Sequence, residues 1–151
     1  MKTLFKVVLR AVLLGSALLG TAACSSDATP QESVGDGGFP TSAFQMFTTA
    51  GGKLNVELRL SEQPPQAGLN EVQYLVTDAT TGAPVDGLDV VIVPWMPAMG
   101  HGASVTPVLE AMGKGVYDFT DVSLFMPGEW QLRTKFSGLV TDSAAPTFTV
   151  P

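Results

Sequence analysis

The sequence predicts an all-β, immunoglobulin-like antiparallel β-sandwich of about seven strands, set behind a signal peptide and a flexible tether. Three observations carry this expectation. Apolar and polar residues alternate with a period of two in short runs after residue 51. Turn signals rich in Gly and Pro separate those runs. No sustained 3.6-residue period follows the leader.

Residues 1–23 read as an export signal. Lys2, Lys6 and Arg10 make a positive start, Ala11 to Leu19 is apolar, and small residues lead to Cys24. The apolar run is shorter than the ~20 residues of a membrane span. Thr21-Ala22-Ala23-Cys24 resembles a bacterial lipobox, with Thr21 standing where leucine is usual. That resemblance implies cleavage before Cys24, lipidation of its thiol, and acyl chains holding the protein at a membrane surface. Plain secretion after cleavage at Ala23 is the alternative. Cys24 is the only cysteine, so no disulfide forms within one chain and no thiolate metal site lies in the folded domain. Ser25 is not the aspartate that marks inner-membrane retention in many such lipoproteins. By the same resemblance, the anchor faces the periplasm from the outer membrane in preference to the inner.

The chain has 8 basic and 14 acidic residues, a net charge of -6. The leader takes three basic residues and no acidic one, which leaves -9. Nucleic acid is excluded as a partner, because phosphate contacts need clustered Lys or Arg. Residues 24–50 read as the lipidated cysteine and a tether, polar and aperiodic up to Gly38. Phe39, Phe44, Met46 and Phe47 interrupt it, and either pack its end against the domain or form a short edge strand.

Residues 51–151 form the domain. Lys53 to Leu60 sets Leu54, Val56, Leu58 and Leu60 on one face. Glu71 to Thr77 repeats the pattern with Val72, Tyr74 and Val76, and residues 78–84 make a turn. Leu88 to Val93 is nearly all apolar and reads as a central strand covered on both faces. Ser104 to Glu110 is a short strand, and Gly113-Lys114-Gly115 a tight turn. Val116 to Val122 alternates with Val116, Asp118, Thr120 and Val122 on one face and Tyr117, Phe119 and Asp121 on the other. Met126-Pro127-Gly128 turns the chain into Glu129 to Phe136, where Trp130, Leu132, Thr134 and Phe136 share a face. Thr147 to Val150 closes the fold.

The residue inventory argues against an enzyme. His101 is the only histidine, and there is no nucleophile elbow, phosphate loop, dinucleotide fingerprint or His-Glu-x-x-His helix. Asp118 and Asp121 are three apart on a strand and point to opposite faces, so they form no acid–base pair.

The residues that suggest binding chemistry lie in Pro94-Trp95-Met96-Pro97-Ala98-Met99-Gly100-His101-Gly102. Thioethers and imidazole suit Cu(I), whereas Zn(II) wants more nitrogen or thiolate and Ca(II) wants oxygen. Met126 sits in a second Pro/Gly turn, and alternate loops of a sandwich cluster at one end. Met96, Met99, His101 and Met126 are therefore candidate ligands, with Trp95 as a candidate cover over the metal. The competing reading is packing: methionine fills irregular gaps against aromatic rings, and Trp95 plugs the mouth of the sandwich.

Three blocks carry a resemblance. Pro94 to Gly102, then Gly115-Val116-Tyr117, then Phe125-Met126-Pro127-Gly128-Glu129-Trp130-Gln131-Leu132 resemble the YtkA-like/FixH-like domain over about residues 52–151. The resemblance implies an exported or membrane-anchored β-sandwich of a family with no established catalytic activity, some members occurring with copper handling or assembly of copper-containing oxidases. By matching positions it implies Met96, Met99, His101 and Met126 as ligands of Cu(I), and a copper-receiving or other envelope protein as partner. FixH-type members usually have a transmembrane anchor where this chain has a lipobox-like signal, which favours a free-standing lipoprotein. A non-metal interaction or structural module is the alternative function.

Overall fold

Ten strands build the computed structural model, which describes residues 38–151. The segment read from the sequence as a signal peptide, the expected lipidation site Cys24 and the expected tether up to residue 37 lie outside the described residues. The strands are β1 (Gln45–Thr48), β2 (Leu54–Leu60), β3 (Gly68–Asp78), β4 (Leu88–Met96), β5 (His101–Gly102), β6 (Val108–Gly113), β7 (Val116–Leu124), β8 (Gly128–Gly138), β9 (Asp142–Ala144) and β10 (Thr147–Val150). They form two antiparallel sheets, ordered β1-β2-β3-β7-β6 and β10-β8-β4-β5, with β9 also paired to β8. Strands β2-β3-β7-β6 and β10-β8-β4 reproduce the ABED and GFC orders of the immunoglobulin sandwich.

The alternation seen in the sequence fills the space between the sheets. Leu54, Val56, Leu58 and Leu60 of β2, Val72, Tyr74 and Val76 of β3, and Trp130, Leu132, Thr134 and Phe136 of β8 are all buried. Two hydroxyls tie the layers together. The Tyr74 hydroxyl meets Thr134 Oγ1 at 2.9 Å. The Tyr117 hydroxyl donates to the Val85 carbonyl at 2.8 Å and accepts from the Leu88 amide at 3.1 Å. Phe44 packs edge-on against Phe148. These contacts bring the residue ahead of β1 against β10 and β7 against the start of β4, tying the two sheets face to face.

Several details depart from the sequence reading. Leu88 to Val93 is covered on one face, not both: Val91 is 54% and Val93 42% exposed, because the outer face of this sheet meets solvent. In β7 the alternation breaks. Asn70 pairs with Val122 but Val72 pairs with Phe119, so two residues of β7, Thr120 and Asp121, oppose Glu71. Asp121 takes a positive φ of 58°, the mark of this bulge. Tyr117, Phe119, Val122 and Leu124 consequently all face the core, and Val122 does not share a face with Val116. The strand expected from Ser104 begins at Val108. The short strands β5 and β9 fall below the length at which alternation is readable. Ahead of residue 51 the packing and the short edge strand that the sequence offered as alternatives are both present: β1 pairs with β2, and Phe39 is buried.

At one end of the sandwich Asp142 organises the 49–53 turn. Its carboxylate accepts from Thr49 Oγ1 at 2.6 Å, Gly51 N at 2.7 Å, Ser143 N at 2.8 Å and Lys53 N at 3.3 Å. Partial desolvation pushes its pKa upward, but these four donors outweigh it and hold the carboxyl at about 2. A Cβ on Gly51 would sit 2.9 Å from the carboxylate oxygens, so the close approach requires glycine.

Candidate metal site

The opposite end carries the thioethers and the imidazole. β4 runs to Met96, and residues 97–100 turn the chain into β5. The amides of Met99 and Gly100 donate to the Met96 carbonyl at 3.1 and 3.0 Å, and Gly100 supplies the left-handed conformation, φ 68°. The hairpin pairs Met96 with His101 and Trp95 with Gly102. Directly opposed residues in an antiparallel pair present their side chains on one face, so Met96 and His101 share a face and Trp95 takes the other.

Each candidate has a distinct setting. Met96 is 5% exposed and belongs to the core. Met99 is 57% exposed on the loop. His101 is exposed, with Nδ1 3.3 Å from the Gly102 carbonyl oxygen. Met126 is half-buried and packs against the core from the β7–β8 turn.

The two loops meet. The Phe125 ring lies parallel to the His101 ring, 4° between planes and 6.3 Å between centroids. Phe125 is itself held edge-on by buried Trp130 at 5.4 Å. The Trp130 indole donates to the Met126 carbonyl at 2.8 Å and so pins the same turn. Gly128 completes the join: a Cβ there would come within 2.9 Å of the Met96 methyl carbon, and its φ is +129°. The β4–β5 hairpin that carries Met96, Met99 and His101 and the turn that carries Met126 thus lie at one end of the sandwich, joined by the His101–Phe125 stack.

Trp95 does not join them. It lies on the outer face of the sheet, where the Arg133 guanidinium sits 3.9 Å over its ring. Arg133 is steadied by its Nε donating to Gln131 Oε1 at 2.9 Å. Trp95, expected from the sequence as a cover over the metal, lies on the opposite face from Met96 and His101, where strand alternation places it, and the cation it faces is an arginine. The ring beside His101 is Phe125, which alternation alone did not single out. Its signal was its place at the head of the Met-Pro-Gly turn.

The donor chemistry can be tested against the side chains present. No group of three or more His, Cys, Asp or Glu forms among the described residues. Any ion held here would be held by thioethers around one imidazole, a set that fits soft Cu(I) and suits Zn(II) or Ca(II) poorly.

An antiparallel sandwich of immunoglobulin topology, with thioethers and one imidazole at an open end, is the class of protein these features define. A family model described as YtkA-like matches residues 49–135, more than half of the chain, and the chain belongs to the YtkA-like family. No curated protein matches it. Among solved structures, a DUF4426 family protein from Pseudomonas aeruginosa is similar over 70% of this chain and 93% of its own, with 9% sequence identity and a TM-score of 0.46.

Proposed function

We propose that this protein is a lipid-anchored envelope protein that binds Cu(I) at its Met/His end and hands the ion to, or withholds it from, a copper-receiving partner. The observation that carries the reading is the joining of the two donor loops: Met96 pairs with His101 across one hairpin, and Phe125 stacks on His101 from the turn that holds Met126. Bound there, Cu(I) would take thioether sulfurs from Met99 and Met126, with Met96 behind them, and a ring nitrogen from His101. The exposure of Met99 and His101 leaves the end open to a receiving protein. Cys24 would supply the anchor, at the outer membrane in preference to the inner, and the tether would set the reach.

Anaerobic Cu(I) titration of the purified protein against a competing chelator tests the site. One ion per chain is expected, and the Met99→Leu/His101→Ala double variant should bind at least about tenfold more weakly. Failure to retain Cu(I), or unchanged affinity in the double variant, rejects the reading. For the anchor, Cys24→Ala should abolish lipidation; unchanged mass and unchanged membrane fractionation would reject it.

A second reading has its own support. Leu69, Phe125 and Met99 are large apolar side chains exposed at this same end, Leu69 through its pairing with Ser123. They suit a docking surface for an envelope protein without any metal. Retention of such a partner by the Met99→Leu/His101→Ala variant separates the two.

A further inference from the structure

A groove of about 520 Å³ lies on the outer face of the β1-β2-β3-β7-β6 sheet, away from the methionine–histidine end. Its floor is two cross-strand rows. One runs Met46, Glu57, Leu75; the other runs Thr48, Asn55, Thr77 and continues to Pro84 through an isolated bridge. The chain between β3 and β4 forms one wall through Pro84, and Lys114 closes a corner. Its volume falls in the range of about 300–1,000 Å³ typical of small-ligand sites.

The polar groups are unevenly used. Thr48 Oγ1 donates to Asn55 Oδ1 at 2.7 Å, so the Asn55 carbonyl oxygen is occupied while its amide nitrogen has no partner among the described residues. Glu57 is held by Arg59 at 3.1 Å, the one ion pair among the described residues. Lys114 has no carboxylate partner there. Its side chain is exposed while its backbone is fixed: φ is left-handed at 55°, and the next residue is pinned on both sides. The Gly115 amide donates to Asp86 Oδ1 at 2.6 Å, and the Gly115 carbonyl accepts from the Val76 amide at 2.7 Å. A Cβ on Gly115 would collide with the Val76 carbonyl oxygen, so the turn lies tight against β3.

Free N–H donors at Asn55 and Lys114 thus stand beside apolar surface from Met46, Leu75 and Pro84, with Glu57, its charge paired to Arg59, set between Met46 and Leu75. Donors without acceptors select an anionic, acceptor-rich head, and the apolar surface selects a short hydrocarbon body. We infer that this groove binds a small amphiphilic carboxylate, its head on Lys114 and Asn55 and its tail along Met46, Leu75 and Pro84. The site is independent of the copper reading and stands or falls without it.

Equilibrium dialysis of labelled decanoate against the purified full chain tests this inference. Decanol, with the same tail and no charge, and acetate, with the same head and no tail, serve as comparators. Saturable binding of one decanoate per chain is expected. It should weaken about tenfold or more in Lys114→Gln, which removes the charge, and in Leu75→Ser, which removes the tail contact. Both comparators should bind at least about tenfold more weakly than decanoate. Circular dichroism and thermal melting establish that each variant is folded. Non-saturable decanoate binding, decanol binding as tightly as decanoate, or either folded variant binding as the parent does overturns the assignment.

Discussion

The Tyr74 hydroxyl of β3 lies 2.9 Å from the Thr134 hydroxyl of β8, a bond between the middle strands of the two sheets. Thr134 Oγ1 also donates to the Leu132 carbonyl at 3.2 Å, so its proton is committed and the phenol is the donor across the core. Burial drives the Tyr74 pKa well above its usual value, the bond to Thr134 pulling the other way, and the phenol stays protonated.

The two halves of this bond are not equivalent. Tyr74→Phe removes a donor and leaves Thr134 satisfied by Leu132, at a cost of about 0.5–1.5 kcal/mol. Thr134→Val orphans a buried O–H and should cost about 1–3 kcal/mol. Urea unfolding at neutral pH measures both. A larger loss in Tyr74→Phe would show that the donor has been assigned the wrong way round.

Asp142 makes stability depend on acid pH. Its carboxyl is held at about 2 in the fold, below its ordinary value of 3.8. The unfolded chain therefore takes up the proton first as pH falls, so the contribution is complete above pH ~4 and is lost towards pH ~2. Asp142→Asn should lower stability by about 1 kcal/mol at pH 7, a discounted figure because water screens part of the carboxylate. The gap between variant and parent should close as the pH of the melt is lowered to ~2. A gap that stays constant with pH would contradict the linkage.

Gly115 combines a φ of +76° with a direction in which a Cβ meets the Val76 carbonyl oxygen, the Pro84 side chain and the Val85 amide. Gly115→Ala should destabilise the fold by about 2–4 kcal/mol, and Gly52→Ala, with φ +70° and open space around it, by less. Comparing the two melts isolates the close approach from the backbone conformation. Equal losses would mean that only the φ matters.

The aromatic partner of His101 can be tested beside the one the sequence suggested. Phe125→Ala should weaken Cu(I) binding about tenfold with little loss of stability, since the ring is 45% exposed. Trp95→Phe should leave Cu(I) affinity unchanged, because its ring lies under Arg133 on the other face. Competition titrations of both variants decide; the opposite ranking would restore Trp95 as the cover.

Much of the fold is legible because burial writes itself with a period of two. The inward residues of β2, β3 and β8 are those that alternation picks out, and the strands stack as the two antiparallel sheets of the expected sandwich, ten in number where about seven were expected. Legibility stops where backbone geometry overrides period. Val91 and Val93 are apolar yet outward, so an apolar run did not report two-sided cover. Trp95 and His101 are close in sequence, but only the hairpin register shows that they face opposite ways. Phe125 becomes informative only through two ring contacts that no local pattern encodes.

The bulge at Thr120 and Asp121 reaches further than β7 itself. Strand alternation is a parity, and one surplus residue inverts it for everything downstream until the chain turns. With the surplus, Val122 and Leu124 point inward and Phe125 emerges at the rim beside His101. Without it, Phe125 would be driven towards the core and Leu124 out into water. A single αL residue four positions upstream therefore acts as the switch-point that decides which side chain greets the imidazole, although it touches neither partner of that stack.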